Sequence, residues 1–468
     1  MSRSRGLSAL GLCSLPLWLA LLALGPLRSG ALVDAFVIYG LLSLLYLVAL
    51  TRGGAASGPA TTRDVIAVAL AARLILLFQE PSLSDDIYRY LWEGRVQLAG
   101  YSPYLYSPDN PALTALRDGD WLSINHKQVP AIYPPVMQAL FALNALLAGS
   151  VWSMKLLLIG ADMALIKLLE GMLARRGRAP AELAIYAWHP LVILEVAGQG
   201  HFEPIPVGLL LLAIDALDRG RPALSSAALW LSIGAKYLSL GLAPAAARLA
   251  GARAWWLGPA LLAAITLPYL ATGFNLDALG QYGASWRFND SGFTLVDLAL
   301  QKSGASAWFC RHLLPLLKTI PPGVDPGEHT TWLLLPAKLA IAATIATALL
   351  TLAWRRRPLL DSSVLFIGAF LLFSPVVHPW YLVWLVALLP LRPQRAWLGF
   401  SLTVPLSYEI LTRYDGSGAT WTEAPWVKAL IFLPWLGLAV YDTYATRPRR
   451  TTNAPDPHAP PHSDRTTR

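Results

Sequence analysis

Apolar runs of roughly 15 to 25 residues recur along the chain, a length that carries a helix across ~30 Å of hydrocarbon. They occupy 7–24, 31–50, 64–78, 152–173, 181–197, 205–217, 255–270, 331–354, 364–373, 380–389, 396–411 and 426–440. Short polar segments rich in arginine separate them. The expected fold is an all-α polytopic membrane bundle of about 11–14 transmembrane helices. Loops that keep their Lys and Arg on the cytoplasmic face set the orientation. That rule places Arg52, Arg63, Arg175, Arg176, Arg178, Arg219, Arg221, Arg392, Arg395 and 355–357 inside, with Arg28 an exception. To satisfy it, 136–149 must be a juxtamembrane or re-entrant helix. Segment 222–249, broken by Gly234, Lys236 and Pro244, must be a hairpin that enters from the cytoplasm and returns. Segments 80–132 and 271–329 are too polar to cross and are expected to be extracytoplasmic loops.

The first run has no small-x-small site after it and reads as an uncleaved helix. Residues 1–445 then form one integral membrane domain. The tail 446–468 has no apolar content and is expected to be a disordered cytoplasmic segment. No internal repeat is visible, which argues against an inverted-repeat transporter.

Composition narrows the class. Of 468 residues, 55% are apolar and 14% charged, against about 25% charged in a soluble domain. A soluble enzyme is excluded. The net charge of +9 lies mainly between apolar runs, so it orients the chain in a bilayer and does not signal nucleic acid. Cys13 and Cys310 support neither a disulfide framework nor a thiolate metal site. No phosphate-binding loop, dinucleotide fingerprint or metalloprotease motif is present.

The densest chemistry is the stretch SDDIYRYLWEGR at 84–95. Ile87, Tyr90, Leu91 and Leu98 recur at helical spacing, which predicts an amphipathic helix on the membrane surface, capped by Ser84. Asp85 and Asp86 suit the positive end of such a helix. They could equally take a proton from a hydroxyl arriving from the aqueous side. Consecutive helical residues diverge by about 100°, so only one can be that base. Asp85, at the freer first position, is the expected base, with Asp86 orienting the sugar or anchoring the loop.

Other polar groups sit at turns. His201 and Glu203 lie in the turn 198–204, and His378 lies in 374–381 beside Trp380 and Tyr381. Lys236 is a cation within an apolar hairpin, a costly placement, and reaches a site only if the hairpin penetrates deeply. Arg287, with Tyr282, Trp286, Asn289 and Asp290, suits carbohydrate contact. Each also has a plain structural reading, as a wet turn, a snorkelling lysine or an ordinary loop. Lys155, Asp162, Lys167 and Glu170 fit pairs within or between helices.

The stretch SDDIYRYLWEGRVQLAGYSPY, followed by IYPP at 132–135, resembles bacterial GT-C-fold membrane glycosyltransferases, particularly mannosyltransferase-like members. The Gly100, Ser102, Pro103, Tyr104 element also resembles the eukaryotic enzyme that adds the first mannose to the glycosylphosphatidylinositol precursor. The resemblance implies a multi-pass protein of the cell membrane with an extracytoplasmic active site. It implies a hexosyltransferase that moves a hexose, mannose first among candidates, from a polyprenyl-phosphate donor to a glycan or glycolipid hydroxyl with inversion. A departure is the pair of apolar runs before the one feeding the motif. Asp85 and Asp86 are the catalytic candidates. Tyr88, Arg89, Arg95, Tyr133, His201, Glu203, Lys236, Arg287 and His378 are the substrate-binding ones. No cofactor is expected; a divalent metal at the two aspartates is compatible but unneeded, because two adjacent carboxylates define no site. The rival reading is a lipid-linked sugar flippase without chemistry, which should bury its key charges at broken helices near the midplane.

Overall fold

A computed structural model of the chain describes residues 3–28, 30–53, 58–320, 322, 324–414 and 422–445. The tail expected to be disordered lies outside them. Among the described residues the architecture is all-α and polytopic, and its sole strand-like feature is an isolated bridge between Phe288 and Val376.

Among the described residues four helices are long and apolar enough to cross a bilayer: Gly6–Ala23, Gly30–Gly53, Ala252–Thr272 and Trp332–Trp354. The pair Pro180–Ala187 and Pro190–Gly198, bent by 52°, is together long and apolar enough for a fifth. The other expected spans are shorter or carry charge. Pro204–Asp218 and Leu359–Phe373 have 15 residues each and Pro222–Ala235 has 14. Val151–Arg175 is long but contains Lys155, Asp162, Lys167 and Glu170. The uniform row of crossings thus becomes a few long helices with mostly exposed faces beside shorter, broken inner ones. The cause is shielding, since irregular backbone at membrane depth is tolerated where protein covers it. Run 380–389 illustrates this: it begins as a 3-10 turn at Pro379–Tyr381, and every residue of 382–389 is at most 1% exposed.

Buried polar groups tie the inner helices together. Arg73 donates to Asp162 at 2.6 Å and to the Ala187 carbonyl at 2.8 Å, and the Tyr186 hydroxyl donates to Asp162 at 2.6 Å. Asp162 therefore pairs with Arg73. Lys155 donates instead to the carbonyls of Leu76 and Gln79. Lys167 and Glu170 do pair within their helix.

Charge segregates along the bundle. At one end Arg175 meets Asp215 at 2.5 Å, Arg178 meets Glu182 and the Pro390 carbonyl, and Arg392 meets Asp361 at 3.2 Å. The opposite end carries the Arg28–Asp85 pair and the Gln199 amide oxygen, which accepts the Ser82 and Leu83 N–H groups.

Two segments bring the site together. Pro222–Ala235 packs along Pro204–Asp218, with the Ser232 hydroxyl donating to the Pro206 carbonyl at 2.7 Å. The chain breaks at Lys236, which is extended (φ −154°, ψ 125°), and turns back through Ala243–Ala250. The hairpin penetrates far enough to bring Lys236 level with Glu203.

The helix Asp86–Leu98 is not a surface helix. Ile87, Arg89, Tyr90, Leu91, Trp92, Glu93, Gly94 and Val96 are all buried. One side packs on Pro135–Leu147, while Trp92 and Val96 on the other gather Leu113 and Ile124 from the same loop. That second apolar pair gives the helix two faces to bury.

Candidate functional site

The two aspartates at the start of Asp86–Leu98 face different surroundings. Asp85 occupies the cap position without a side-chain capping bond; the Ser84 hydroxyl accepts the Asp86 N–H at 3.3 Å. Asp85 pairs with Arg28 at 2.9 Å. Asp86 turns inward, 26% exposed, with Oδ2 3.9 Å from Nδ1 of His201. Burial, reinforced by the nearby Glu203 carboxylate and opposed by Lys236, lifts the Asp86 carboxyl to about 7. Asp86 is thus the aspartate that faces the polar interior.

The opposing wall comes from the turn after the bent span. Leu194–Gly198 is a π-helical segment, a feature frequent at functional sites. Gly200 follows at φ +80°, and a Cβ there would lie 2.4 Å from Ile87 Cδ1, so glycine meets both demands. His201, 1% exposed, stacks on Trp380 at 3.9 Å between ring centroids; His378 stacks on the same indole at 4.3 Å. Neither His201 nitrogen has a hydrogen-bond partner. Its Nε2 lies 3.5 Å from Glu195, whose two oxygens each lie 3.0 Å from the Tyr408 hydroxyl. Burial, then Lys236 and His378, pushes His201 far below the usual histidine range. Burial and Lys236 lower His378 to about 3. Both imidazoles are neutral at pH 7. The cation beside them is Lys236: it pairs with Glu203 and sits 4.3 Å from the Tyr381 ring centroid. The second Glu203 oxygen has no partner.

Asp86, His201, Glu203, Lys236 and His378 therefore converge. Tyr133 joins them through its ring, 5.1 Å from Tyr90 and 5.6 Å from Phe202. Burial, then the Asp86 charge, raises its phenol well above the usual value.

The remaining candidates lie elsewhere. Arg89 is occupied by Glu93 at 2.9 Å and by the His126 and Val129 carbonyls. Arg95 pairs with Asp118 at 2.6 Å, and Tyr88 packs on the Trp92 cluster. Arg287 is held within its own loop by Asp290 at 2.7 Å and Asp297 at 3.1 Å. The Tyr282 side chain lies outside the described residues. That loop nevertheless reaches the rim, because Phe288 exchanges backbone bonds of 2.9 Å with Pro375 and Val377 and its ring lies 5.0 Å from His378. His126 and Trp286, 4.4 Å apart, join the two loops.

Sequence reasoning missed Trp380, Glu195 and Tyr408. Glu195 did carry a signal, as a lone carboxylate inside the apolar run 190–198, where a charge calls for a partner. Trp380 was visible only as a neighbour of His378; its stacking on His201 has no local sign. Among the described residues, no group of three or more His, Cys, Asp or Glu side chains is placed to hold a metal ion.

A family model described as alpha-(1->6)-mannopyranosyltransferase, N-terminal domain, matches residues 9–264. The chain belongs to that family. The match runs through Asp86, His201, Glu203 and Lys236 and ends before His378 and Trp380. The chain is also similar to alpha-(1->6)-mannopyranosyltransferase B of Corynebacterium glutamicum, 26% identical over 392 residues. That alignment takes in 70% of this chain and 58% of the relative, so the chain spans little more than half of that mannopyranosyltransferase's length.

Proposed function

We propose that this chain is a mannosyltransferase that moves a mannosyl unit from a polyprenyl-phosphate donor to a hydroxyl of a glycan or glycolipid, with inversion. The observation that carries the reading is the inward Asp86, set against neutral imidazoles and the Lys236–Glu203 pair. Family membership supplies the sugar. The end of the bundle away from the arginine clusters is the extracytoplasmic one by the charge rule, and the site lies there.

In this reading the acceptor oxygen attacks the anomeric carbon as the bond from that carbon to the phosphate oxygen breaks. One displacement inverts the centre. The departing phosphate is already a stable anion and needs no general acid, but its oxygens need a cation or hydrogen-bond donors. Lys236 is the cation, and ring N–H groups of His201 and His378 are neutral donors. The hydroxyl proton passes to Asp86, whose carboxyl near 7 suits a base at neutral pH. Asp85, turned to Arg28, anchors the loop, the reverse of the sequence expectation.

The test is transfer from a polyprenyl-phosphate mannose by the purified full chain. D86N should lower turnover by about 10² to 10⁴, while D85N should act mainly on stability. Undiminished transfer by folded D86N would refute the base. Movement of donor lipid across vesicles with no product from the wild type would instead identify a flippase.

A further inference from the structure

A well-formed cavity lies away from this site. It holds about 900 Å³ at the basic end of the bundle, lined by the end of Gly30–Gly53, the segment 389–398 and the last turns of Pro425–Ala445. That volume lies within the ~300–1,000 Å³ range of small-molecule sites. Its inner wall is apolar, built from Leu50, Ile185, Leu389, Trp397, Trp435 and Ala439. Its rim carries Arg392 and Arg395, whose side chains are 59% and 64% exposed.

The flanking helices Gly30–Gly53 and Pro425–Ala445 expose Leu44, Leu47, Leu433, Leu436 and Val440. Those side chains mark the helices' outer surfaces as bilayer contacts, so the cavity opens in a seam between lipid-facing helices. Its two rim arginines are paired, Arg392 with Asp361 at 3.2 Å and Arg395 with Asp442 at 3.8 Å. Exposed pairs of that kind contribute little, typically below ~1 kcal/mol. A phosphate, which accepts from two guanidinium groups at once, can displace them. An apolar slot whose mouth presents the exposed guanidinium groups of Arg392 and Arg395, each held by a weak surface pair and with the Glu182 carboxylate turned to Arg178, matches a ligand with an acyl chain and an anionic head.

We propose that this cavity binds one anionic glycerophospholipid of the leaflet on the basic side, its phosphate on Arg392 and Arg395 and an acyl chain against Trp397 and Trp435. The site is separate from the transfer site, and its occupancy does not depend on the assignment made there. Anionic lipid is enriched on the side where juxtamembrane basic residues gather, so location and chemistry agree.

The test is native mass spectrometry of the full chain in detergent, titrated with phosphatidylglycerol or with phosphatidylcholine. The wild type should retain one phosphatidylglycerol at concentrations where phosphatidylcholine is lost. R392Q/R395Q should weaken that retention by about tenfold or more. R413Q, a charge loss at an exposed pair away from the cavity, should leave it unchanged. A439W keeps both arginines and fills the slot, so it should also weaken retention. Three results would overturn the proposal: equal retention of the two lipids, unaltered binding by R392Q/R395Q, or displacement of the lipid by millimolar inorganic phosphate as readily from A439W as from the wild type. Melting curves of both variants without added lipid separate lost binding from lost fold.

Discussion

A carboxylate whose proton affinity is raised by burial carries two linked consequences at Asp86. Transfer that needs it ionised should fall as pH drops through about 7, and a pH–rate profile of kcat/KM reads that limb directly. Stability should move the other way. The folded chain holds the proton between about pH 4 and 7, where an unfolded carboxyl has lost it, so unfolding free energy declines as pH rises across that window. D86N removes the linkage, and its melting temperature should vary less with pH than that of the wild type. A parallel wild-type and D86N dependence would place the titration elsewhere. The Lys236–Glu203 pair gives a second expectation. K236M leaves a buried carboxylate without its cation, costing about 3–5 kcal/mol, whereas K236M/E203Q should recover much of that stability and still bind donor poorly. Asp85 and Asp86 stand out as a pair in the sequence, but which of them faces inward is not legible there. The distinction depends on Arg28 and on His201, which lie 57 and 115 positions away from their respective aspartates in the chain and meet them only in the fold.

Among elements, the tightest fit is between Asp86–Leu98 and Pro135–Leu147. A Cβ at Gly94 would stand 2.1 Å from the Phe141 carbonyl oxygen. Backbone cannot yield as a side-chain tip does, so G94A should force the helices apart and cost at least ~1–3 kcal/mol, read as a lower melting temperature. Displacement of Asp86 would follow from the same movement, so activity should fall with stability. The sequence pattern located this helix correctly by its spacing, yet put it on a surface, because Trp92 and Val96 look like ordinary exposed apolar positions until Leu113 and Ile124 cover them. The hairpin was readable for a better reason. Gly234, Lys236 and Pro244 interrupt an apolar run flanked by arginines at both ends, and a chain in hydrocarbon has few ways to satisfy that. The bent span at 180–198 was less legible. Its break falls at Trp188–His189–Pro190, where His189 bonds Ser401 at 2.9 Å, and no local pattern announces a partner so distant.

For the whole molecule, the arrangement of charge fixes a simple expectation. A reporter after Arg357 and one near Asp118 should lie on opposite sides of the membrane, the first cytoplasmic; the same side for both would displace the site from the extracytoplasmic face. The count of long helices shows where reading by hydropathy ends. It registers that a segment is apolar, and lipid contact and protein contact have the same apolar signature, so a protein-covered segment such as 380–389 reads like a lipid-facing one. The tryptophan shared by two imidazoles adds a consequence for biosynthesis. Asp86, His201, Glu203 and Lys236 emerge from the ribosome by about the midpoint of the chain, whereas Trp380 and His378 follow some 140 positions after Lys236. Chains fold from the N-terminal side as they are made. A nascent chain therefore inserts its carboxylates and its lysine early but leaves His201 without the ring it stacks on. The site's aromatic wall is complete only once the late segment around Trp380 docks against His201.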